Sequence, residues 1–446
     1  MKRVITYGTY DLLHQGHVNL LRRAKEMGDY LIVGVTSDSF DRGRGKLNVR
    51  NNVLERVEAV KSTGYADEVI IEDYIGQKID DIQKYDVDIF AIGSDWEGKF
   101  DYLREYCEVV YLPRTEGISS SMLREENQQA CRLGIIGSGR IANRFVPETK
   151  VVSGVEVVAV YNPDLAEAER FALSHELQAC SDFDDFIHRV DAVYVASPHL
   201  THYSYVKHCL LAGKHVLCEI PFVLRKSEAE ELYRLAEERD LVLVEASKTA
   251  YCPAFGHLIT LVKSGVIGDV VDVKASLSKM VAQPTRELDV QEAGGAMTEH
   301  SPLTLMAIIK LLGVDWKEVN FHTKIENGVD IFTKGVINYP HATSSLTLGI
   351  GVKTEGNLVV SGTKGYVYVP APWWLTDYFE VRYEDQTKNK KYFYSYDGEG
   401  LRYEIQEFLS MIVNNRRSCY KLRRHESVAI VEIIEKFRNG EKVTQI

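Results

Sequence analysis

The chain has 446 residues, enough for about three structural units with cores of their own. Its 53 lysines and arginines against 64 aspartates and glutamates give a net charge of −11, which excludes a nucleic-acid or bilayer surface as partner but leaves room for a local basic pocket around a small anionic substrate. Seven cysteines, an odd number without a C-x-x-C pair, suit a reduced cytoplasmic chain, and Met1-Lys2-Arg3 runs into a strand with no signal-peptide core and no later run of membrane length.

Short apolar runs alternating with amphipathic segments predict strand 3–7, helix 16–27, strand 30–36, a basic loop, helix 52–62, strand 68–71, helix 76–84, strand 88–92, helix 99–106, strand 108–112 and a short helix from Ser119. That order is an α/β, doubly wound parallel sheet, whose ligands bind beyond the carboxyl ends of the strands, where Gly8, Gly93 and Arg114 fall. Between the first strand and the first helix lies Gly8-Thr9-Tyr10-Asp11-Leu12-Leu13-His14-Gln15-Gly16-His17. A helix start of this kind leaves unpaired N–H groups suited to a phosphate. His14 and His17, three apart, can offer ring N–H groups to one anion, and Gly16 lets the backbone come close. The plainer reading is two polar residues at an ordinary helix start.

This H-x-G-H resembles the signature of nucleotidyltransferases that release pyrophosphate. Gly93-Ser94-Asp95-Trp96-Glu97-Gly98-Lys99-Phe100-Asp101 and Tyr111-Leu112-Pro113-Arg114-Thr115-Glu116-Gly117-Ile118-Ser119-Ser120-Ser121 are similar to stretches of the bacterial glycerol-3-phosphate cytidylyltransferases, and the resemblance runs from Met1 to about Glu126. It implies that a phosphate monoester attacks the α-phosphorus of CTP, with Mg2+ carried on the CTP phosphates rather than by a protein metal site. It also implies that His14 and His17 stabilise the transferring phosphoryl group, while Thr9, Tyr10, Asp11 and Gly16 line the nucleotide pocket. Arg114, Thr115, Gly117, Ile118, Ser119 and Ser120 then hold phosphates and base, and Asp95 holds the ribose or the metal. The loop Arg42-Gly43-Arg44-Gly45-Lys46 reads from composition as a solvated charged loop, but the resemblance makes Lys46 functional and leaves Arg44 a cation for the acceptor. Arg56 matches an arginine of the family's nucleotide site, although a histidine beside it is replaced by Leu54, and Lys78 matches a lysine near the acceptor phosphate. Gly64, with one extra residue upstream, stands where the family has an arginine before Tyr65-Ala66-Asp67, so the acceptor pocket is expected to differ.

After the polar bridge 125–130, Arg132-Leu133-Gly134-Ile135-Ile136-Gly137-Ser138-Gly139-Arg140-Ile141-Ala142 reads as a strand, a G-x-G-x-x-A turn and a helix start, a dinucleotide fingerprint. Val155–Tyr161 and Asp191–Ser197 read as further strands. Ser197-Pro198-His199-Leu200-Thr201-His202, Ala212-Gly213-Lys214-His215-Val216-Leu217-Cys218-Glu219, Lys263-Ser264-Gly265-Val266-Ile267-Gly268 and Tyr403-Glu404-Ile405-Gln406-Glu407-Phe408 resemble the Gfo/Idh/MocA family of sugar and polyol oxidoreductases over about 131–446. The resemblance implies a Rossmann domain followed by an α+β domain on an open, mostly antiparallel sheet. Domains are therefore expected at 1–128, 129–250 and 251–446, with the dinucleotide held by Gly137, Ser138, Gly139, Arg140, Ile141, Asn162, Ser197, Pro198, His202 and Glu219. Asn162 stands where the family commonly has an acidic residue for the adenosine ribose; that change and Arg140 lean toward NADP(H) over NAD(H).

Two departures concern catalysis. The family's Glu-Lys-Pro reads Glu219-Ile220-Pro221, and its usual histidine is Leu303 in Gly294-Gly295-Ala296-Met297-Thr298-Glu299-His300-Ser301-Pro302-Leu303. Carbonyl reduction needs a proton donor, which neither side chain supplies. Lys248, after the strand Leu241–Val244, is the expected replacement, with Tyr251, Glu299 and His300 as further donors or orienters; a solvated lysine and a structural histidine are the plain alternatives. The expectation is a bifunctional, homo-oligomeric enzyme of small-molecule substrates that makes a CDP-alditol for wall or capsule polymers. The alternatives are a cytidylyltransferase with a dead, NAD(P)-binding regulatory domain, or a first domain that uses ATP.

Overall fold

Val4, Ile5 and Tyr7 lose nearly all contact with solvent in β1 (Arg3–Gly8), the middle strand of the first sheet. The computed structural model describes residues 1–446 except 44–48, 50, 52, 75, 114–129, 282–284, 395 and 397. The chain divides into two units, Met1–Gln129 and Ala130–Ile446. None of the described helices is long and apolar enough to cross a membrane.

In the first unit β1 is joined by β2 (Tyr30–Thr36), β3 (Glu68–Glu72), β4 (Ile89–Gly93) and β5 (Glu108–Leu112) in the order β3-β2-β1-β4-β5, all parallel. The order reverses between β1 and β4, so the crevice beyond their carboxyl ends is where such a sheet holds a ligand. Gly34 in β2 has to be glycine: a Cβ there would stand 2.2 Å from the Tyr7 ring. The helix Gln15–Lys25 carries Arg22, Arg23 and Lys25 in its last turn, where cations suit the negative end of the helix dipole.

Two local expectations change. The expected helix over 99–106 is a short 3-10 turn, Asp101–Glu105, because Leu103 is its one buried side chain and no apolar stripe holds a longer helix down. The basic loop begins instead as a six-residue helix, Asp38–Gly43, with the Ser37 hydroxyl accepting the Phe40 N–H and two aspartates in the first turn. The short helix expected from Ser119 lies outside the described residues.

The second unit contains two sheets among its described residues. The first runs β6 (Cys131–Ile136), β7 (Val155–Tyr161), β8 (Gln178–Cys180), β9 (Ala192–Val195), β10 (His215–Glu219) and β11 (Leu243–Ala246), in the parallel order β11-β10-β9-β6-β7-β8. The reversal between β6 and β9 places its crevice at Gly137 and Ser197. The second sheet has β12 (Val270–Ser278), β13 (Glu318–Glu326), β14 (Val329–Asn338), β15 (Thr343–Gly349), β16 (Leu358–Gly362), β17 (Tyr366–Val369), β18 (Tyr378–Arg382), β19 (Lys390–Phe393) and β20 (Val443–Gln445). Their order is β19-β18-β17-β16-β12-β15-β14-β13-β20, antiparallel except at β12–β15 and β13–β20. The helix Ala296–Leu312, buried along nearly its whole length, packs on this sheet and against the helix Arg424–Arg438. Lys310 and Glu426, both buried, pair at 3.0 Å across the two helices.

Candidate active sites

In the first unit the turn after β1 puts Tyr10 and Leu12 in left-handed conformations, with φ of 53° and 47°. The tight path delivers His14 to the N-cap of Gln15–Lys25, where its Nδ1 accepts the Gly16 N–H at 3.1 Å. A neutral ring that accepts at Nδ1 carries its proton on Nε2, so His14 presents an Nε2–H donor. The His17 ring stacks on it, centroids 3.9 Å apart, and Tyr10 meets His17 edge-on at 5.5 Å. The two imidazoles expected to act together are brought together.

Residues expected around them divide in two. Tyr10 is 1% exposed and belongs to the apolar core with Val4, Leu21 and Val33; its ring props His17 rather than lining an open pocket. Asp11 is buried too, and its carboxylate accepts the Asn51 N–H at 3.0 Å. Arg56, expected at the nucleotide, is 0% exposed: its guanidinium donates to the carbonyls of Thr9 and Thr36, each at 2.8 Å, and pairs with Asp38 and Asp41. Thr9 in turn donates to Asp41 at 3.0 Å. Bonded to Thr9, Thr36, Asn51, Asp38 and Asp41, this guanidinium fixes the cradle from behind. Lys78, at the start of the helix Gln77–Lys84, is ion-paired with buried Glu72 and lies over the Tyr7 ring at 4.5 Å and the Phe100 ring at 5.5 Å. Asp95 is exposed in the turn that follows β4. Arg44, Lys46, Arg114, Thr115, Gly117, Ile118, Ser119 and Ser120 lie outside the described residues.

In the second unit the glycine turn fits a dinucleotide. Gly137 has φ +102°, and a Cβ would come within 2.6 Å of the Ala196 carbonyl, so glycine alone lets β6 pass β9 there. Gly139 is the N-cap of Arg140–Thr149, with nothing within 4 Å of the place its Cβ would take, which leaves the helix's first N–H groups room for a pyrophosphate. Asn162 donates to the Ser138 hydroxyl at 2.9 Å, tying the second strand to this turn. Ile141 is the second residue of that helix, and Ser197 precedes Pro198, the N-cap of the 3-10 turn His199–Thr201 after β9. The Arg140 guanidinium, expected near a 2′-phosphate, meets Glu287 at 3.0 Å while remaining largely exposed.

His202, expected at the dinucleotide, lies inside the fold. It is 0% exposed, with Nδ1 2.9 Å from the Pro221 carbonyl and Nε2 2.8 Å from that of Ser197, and burial pushes its pKa down to about 4. Its neutral ring donates to one of these two carbonyls, between the turn after β9 and the loop after β10. Tyr251 is likewise no acid for a substrate, because it is buried and donates to the Glu245 carbonyl at 2.8 Å. Glu299, expected as a donor or orienter, binds His199 Nε2 at 2.9 Å and the Arg286 guanidinium at 3.1 Å. Burial raises the pKa of Glu299, but its contacts with His199 and Arg286 outweigh it and hold the carboxyl below its ordinary value. Burial also lowers the His300 pKa, and its Nε2 has no partner among the described residues.

Lys248 begins the four-residue helix after β11 and donates to the Glu399 carbonyl at 2.7 Å. Its charge acts on Glu219, which accepts from the Tyr194 hydroxyl at 2.5 Å and from the Ile220 N–H at 3.2 Å. His199 and Arg286 were missed in the sequence. His199 stands in the quoted Ser-Pro-His run three residues before the more conspicuous His202, and no local pattern marks Arg286 as a neighbour of Glu299.

A family model described as cytidylyltransferase-like matches residues 5–126, and one described as an oxidoreductase family with an NAD-binding Rossmann fold matches residues 131–247. Glycerol-3-phosphate cytidylyltransferase of Staphylococcus aureus is 55% identical over 126 residues, 28% of this chain and 95% of that protein. Trans-1,2-dihydrobenzene-1,2-diol dehydrogenase of Sus scrofa is 28% identical over 329 residues, 71% of this chain and 98% of that one. Among solved structures, a 3-ketoreductase from Actinomadura kijaniata in complex with NADP and TDP-benzene superposes with a TM-score of 0.65 at 22% identity, covering 71% of this chain and 100% of that one. UDP-N-acetylglucosamine 3-dehydrogenase from Acidithiobacillus ferrooxidans gives 0.61 at 18%, covering 71% and 99%.

Proposed function

This chain belongs to the glycerol-3-phosphate cytidylyltransferase family through its first unit and to the Gfo/Idh/MocA oxidoreductase family through its second, and from that premise we propose that it is a bifunctional enzyme making a CDP-alditol. The observation that carries the proposal is the stacked His14–His17 pair on one unit and an open glycine-turn helix start on the other, in a single chain. Residues 1–128 transfer CMP, 129–250 hold the dinucleotide, and 251–446 carry the ketone pocket and the contacts of a homo-oligomer in the cytoplasm.

For the transfer, a phosphate monoester oxygen forms a bond to the α-phosphorus of CTP as the bond to pyrophosphate breaks. His14 Nε2–H and His17 neutralise the charge that gathers on the α-phosphoryl oxygens, and Mg2+ travels with the triphosphate. Lys46 and Arg114 add cations, and Arg44 and Lys78 serve the acceptor. Glycerol 3-phosphate, the acceptor in the relatives' name, is one candidate, but Gly64 in place of an arginine leaves a roomier pocket for a pentitol or hexitol phosphate.

For the reduction, NAD(P)H when bound supplies a hydride to the carbonyl carbon. Lys248 gives the proton to the carbonyl oxygen in place of the lysine that Ile220 replaces, while Glu299 orients His199 and Arg286 on the cleft wall. Asn162 puts no negative charge at the adenosine ribose, which favours NADPH, and Arg140 reaches a 2′-phosphate by leaving Glu287. Dihydroxyacetone phosphate, a pentulose phosphate and a hexulose phosphate are the candidate ketones, either free or as CDP-ketoses. The products suit teichoic-acid or capsule assembly.

Ile220 and Leu303 favour a second reading, in which the reductase unit binds NAD(P)H only to regulate the transferase. Wild type and Lys248→Ala, assayed for NADPH oxidation across ketose phosphates and CDP-ketoses, separate the two. Turnover lost in the variant supports reduction; bound NADPH with no turnover on any ketose supports regulation.

A further inference from the structure

Lys248 has a flexible four-carbon stem and keeps part of its surface open, yet its ammonium is fixed: Nζ donates to the Glu399 carbonyl at 2.7 Å. Holding so long a side chain in one place costs rotamer freedom, so whatever fixes Glu399 decides how well Lys248 is held. The turn that carries Glu399 does not hold itself. Gly398 and Gly400 flank it with φ of 60° and 76°, and Gly400, the N-cap of the helix Leu401–Val413, has no side chain to offer that helix's first N–H groups.

Glu148 closes the turn from outside. It is buried in the last turn of the helix Arg140–Thr149, the helix that starts at the glycine turn. One of its carboxyl oxygens accepts the Glu399 N–H at 3.3 Å and Arg402 Nη2 at 2.8 Å; the other accepts the Arg402 N–H at 3.2 Å and Arg402 Nε at 2.9 Å. Four donors on two oxygens leave no place for a proton, so the group is a carboxylate, and its bidentate bond to a guanidinium is of the strong, charge-assisted kind. In effect Glu148 caps the helix Leu401–Val413 from another helix and ties down both sides of Gly400. The Tyr396 hydroxyl shares the Glu399 carbonyl at 3.2 Å, and Arg144 meets the Glu399 carboxylate at 3.4 Å in a half-exposed, weaker pair. Glu399 is thus held at its N–H, its carbonyl and its side chain.

We propose that Glu148 is a positioning residue of the reduction, which sets the place of the Lys248 ammonium through the turn 398–402. This rests on the reading of Lys248 as the proton donor. In that step hydride forms the new C–H bond at the carbonyl carbon, the C=O π pair takes a proton from the Lys248 ammonium, and the neutral amine left behind takes a proton back from solvent. Glu148 touches no reactant. Its helix offers its first N–H groups to the dinucleotide at one end and, through Glu148, fixes the turn that holds Lys248 at the other, so a single rigid element keeps hydride source and proton donor in one frame.

The test uses the full chain with NADPH bound. Brief acetylation by trace acetic anhydride, read by mass spectrometry as labelling of Lys248 against the exposed Lys364, reports how firmly the ammonium is held and needs no ketone. Glu148→Gln keeps the shape but turns one acceptor into a donor facing N–H groups. Lys248 is expected to label several-fold faster in this variant than in wild type, with NADPH affinity by fluorescence titration unchanged. Gly398→Ala, whose Cβ would run into the Glu148 carboxylate, disturbs the same turn from the other side and should do the same. Should either variant fail to fold, Arg402→Lys, which keeps a cation but gives up the paired N–H groups, takes its place. On a ketose phosphate or CDP-ketose that wild type reduces, these variants should lower kcat about 10- to 100-fold and leave KM nearly unchanged, as misplacement of a reacting group does. Wild-type labelling of Lys248 in the folded variants, or a raised KM with kcat intact, overturns the proposal. A Lys248→Met chain as active as wild type, or a wild type that reduces no ketose, brings down the donor reading itself, whereas unchanged labelling beside an inactive Lys248→Met brings down the part given to Glu148 alone.

Discussion

At the scale of single residues, the proposal separates the two imidazoles offered to the triphosphate from the side chains that hold the cradle. His14 and His17 stand at a helix start with rings stacked 3.9 Å apart, so replacing either by Ala is expected to lower pyrophosphate release from CTP about 10²- to 10³-fold, as loss of one positioned charge-stabilising donor does. Arg56 acts differently. Its removal strands Asp38 and Asp41 beside two backbone carbonyls, and Arg56→Ala is expected to destabilise the first unit by about 3–5 kcal/mol, seen as an earlier urea transition. Arg56→Lys should not restore it, because one ammonium cannot reach acceptors spread around a guanidinium fork. Sequence alone placed Arg56 at the nucleotide because a charged residue in a functional stretch looks like a contact. Burial is a property of the whole fold and leaves no mark in the local pattern.

At the scale of elements, the strand and helix alternation was legible because apolar runs of four to seven residues end in glycine at both crevices. The glycine turn makes the strongest element-level prediction: Gly137→Ala combines a left-handed φ with a 2.6 Å approach to Ala196, and NADPH affinity by fluorescence titration should fall about tenfold or more. What escaped the sequence was short or long-range. The turn Asp101–Glu105 has too few apolar anchors to announce its type, and the Glu299–His199 contact joins residues a hundred positions apart. The start of the helix Ala296–Leu312 offers a pH test. Asp330 accepts the Met297 N–H at 2.8 Å, and burial pushes its pKa up to about 6. The folded state therefore keeps a proton that the unfolded chain has released. That stabilisation is complete below about pH 4 and is lost as pH rises through 6. Between pH 4 and 7 wild type should lose about 2–3 kcal/mol relative to Asp330→Asn in urea melts followed by tryptophan fluorescence; equal pH dependence would contradict the assignment.

At the scale of the whole molecule, a transferase and a reductase on one chain make sense if one unit's product is the other's substrate, since tethering keeps the intermediate at a raised effective concentration. On the proposed reading, the acidic overall charge leaves both anionic substrates to local cations, so both activities should weaken at high salt through KM more than through kcat. The most direct test of the coupled reading is isotopic. The full chain is given CTP, Mg2+ and a panel of ketose phosphates together with NADPH deuterated at the transferable C4 position, and the nucleotide products are weighed by mass spectrometry. The account predicts a CDP-alditol carrying one deuterium, formed with pyrophosphate and lost in Lys248→Ala. A CDP product without deuterium, from whichever acceptor is taken, while NADPH remains bound and unoxidised, would contradict it.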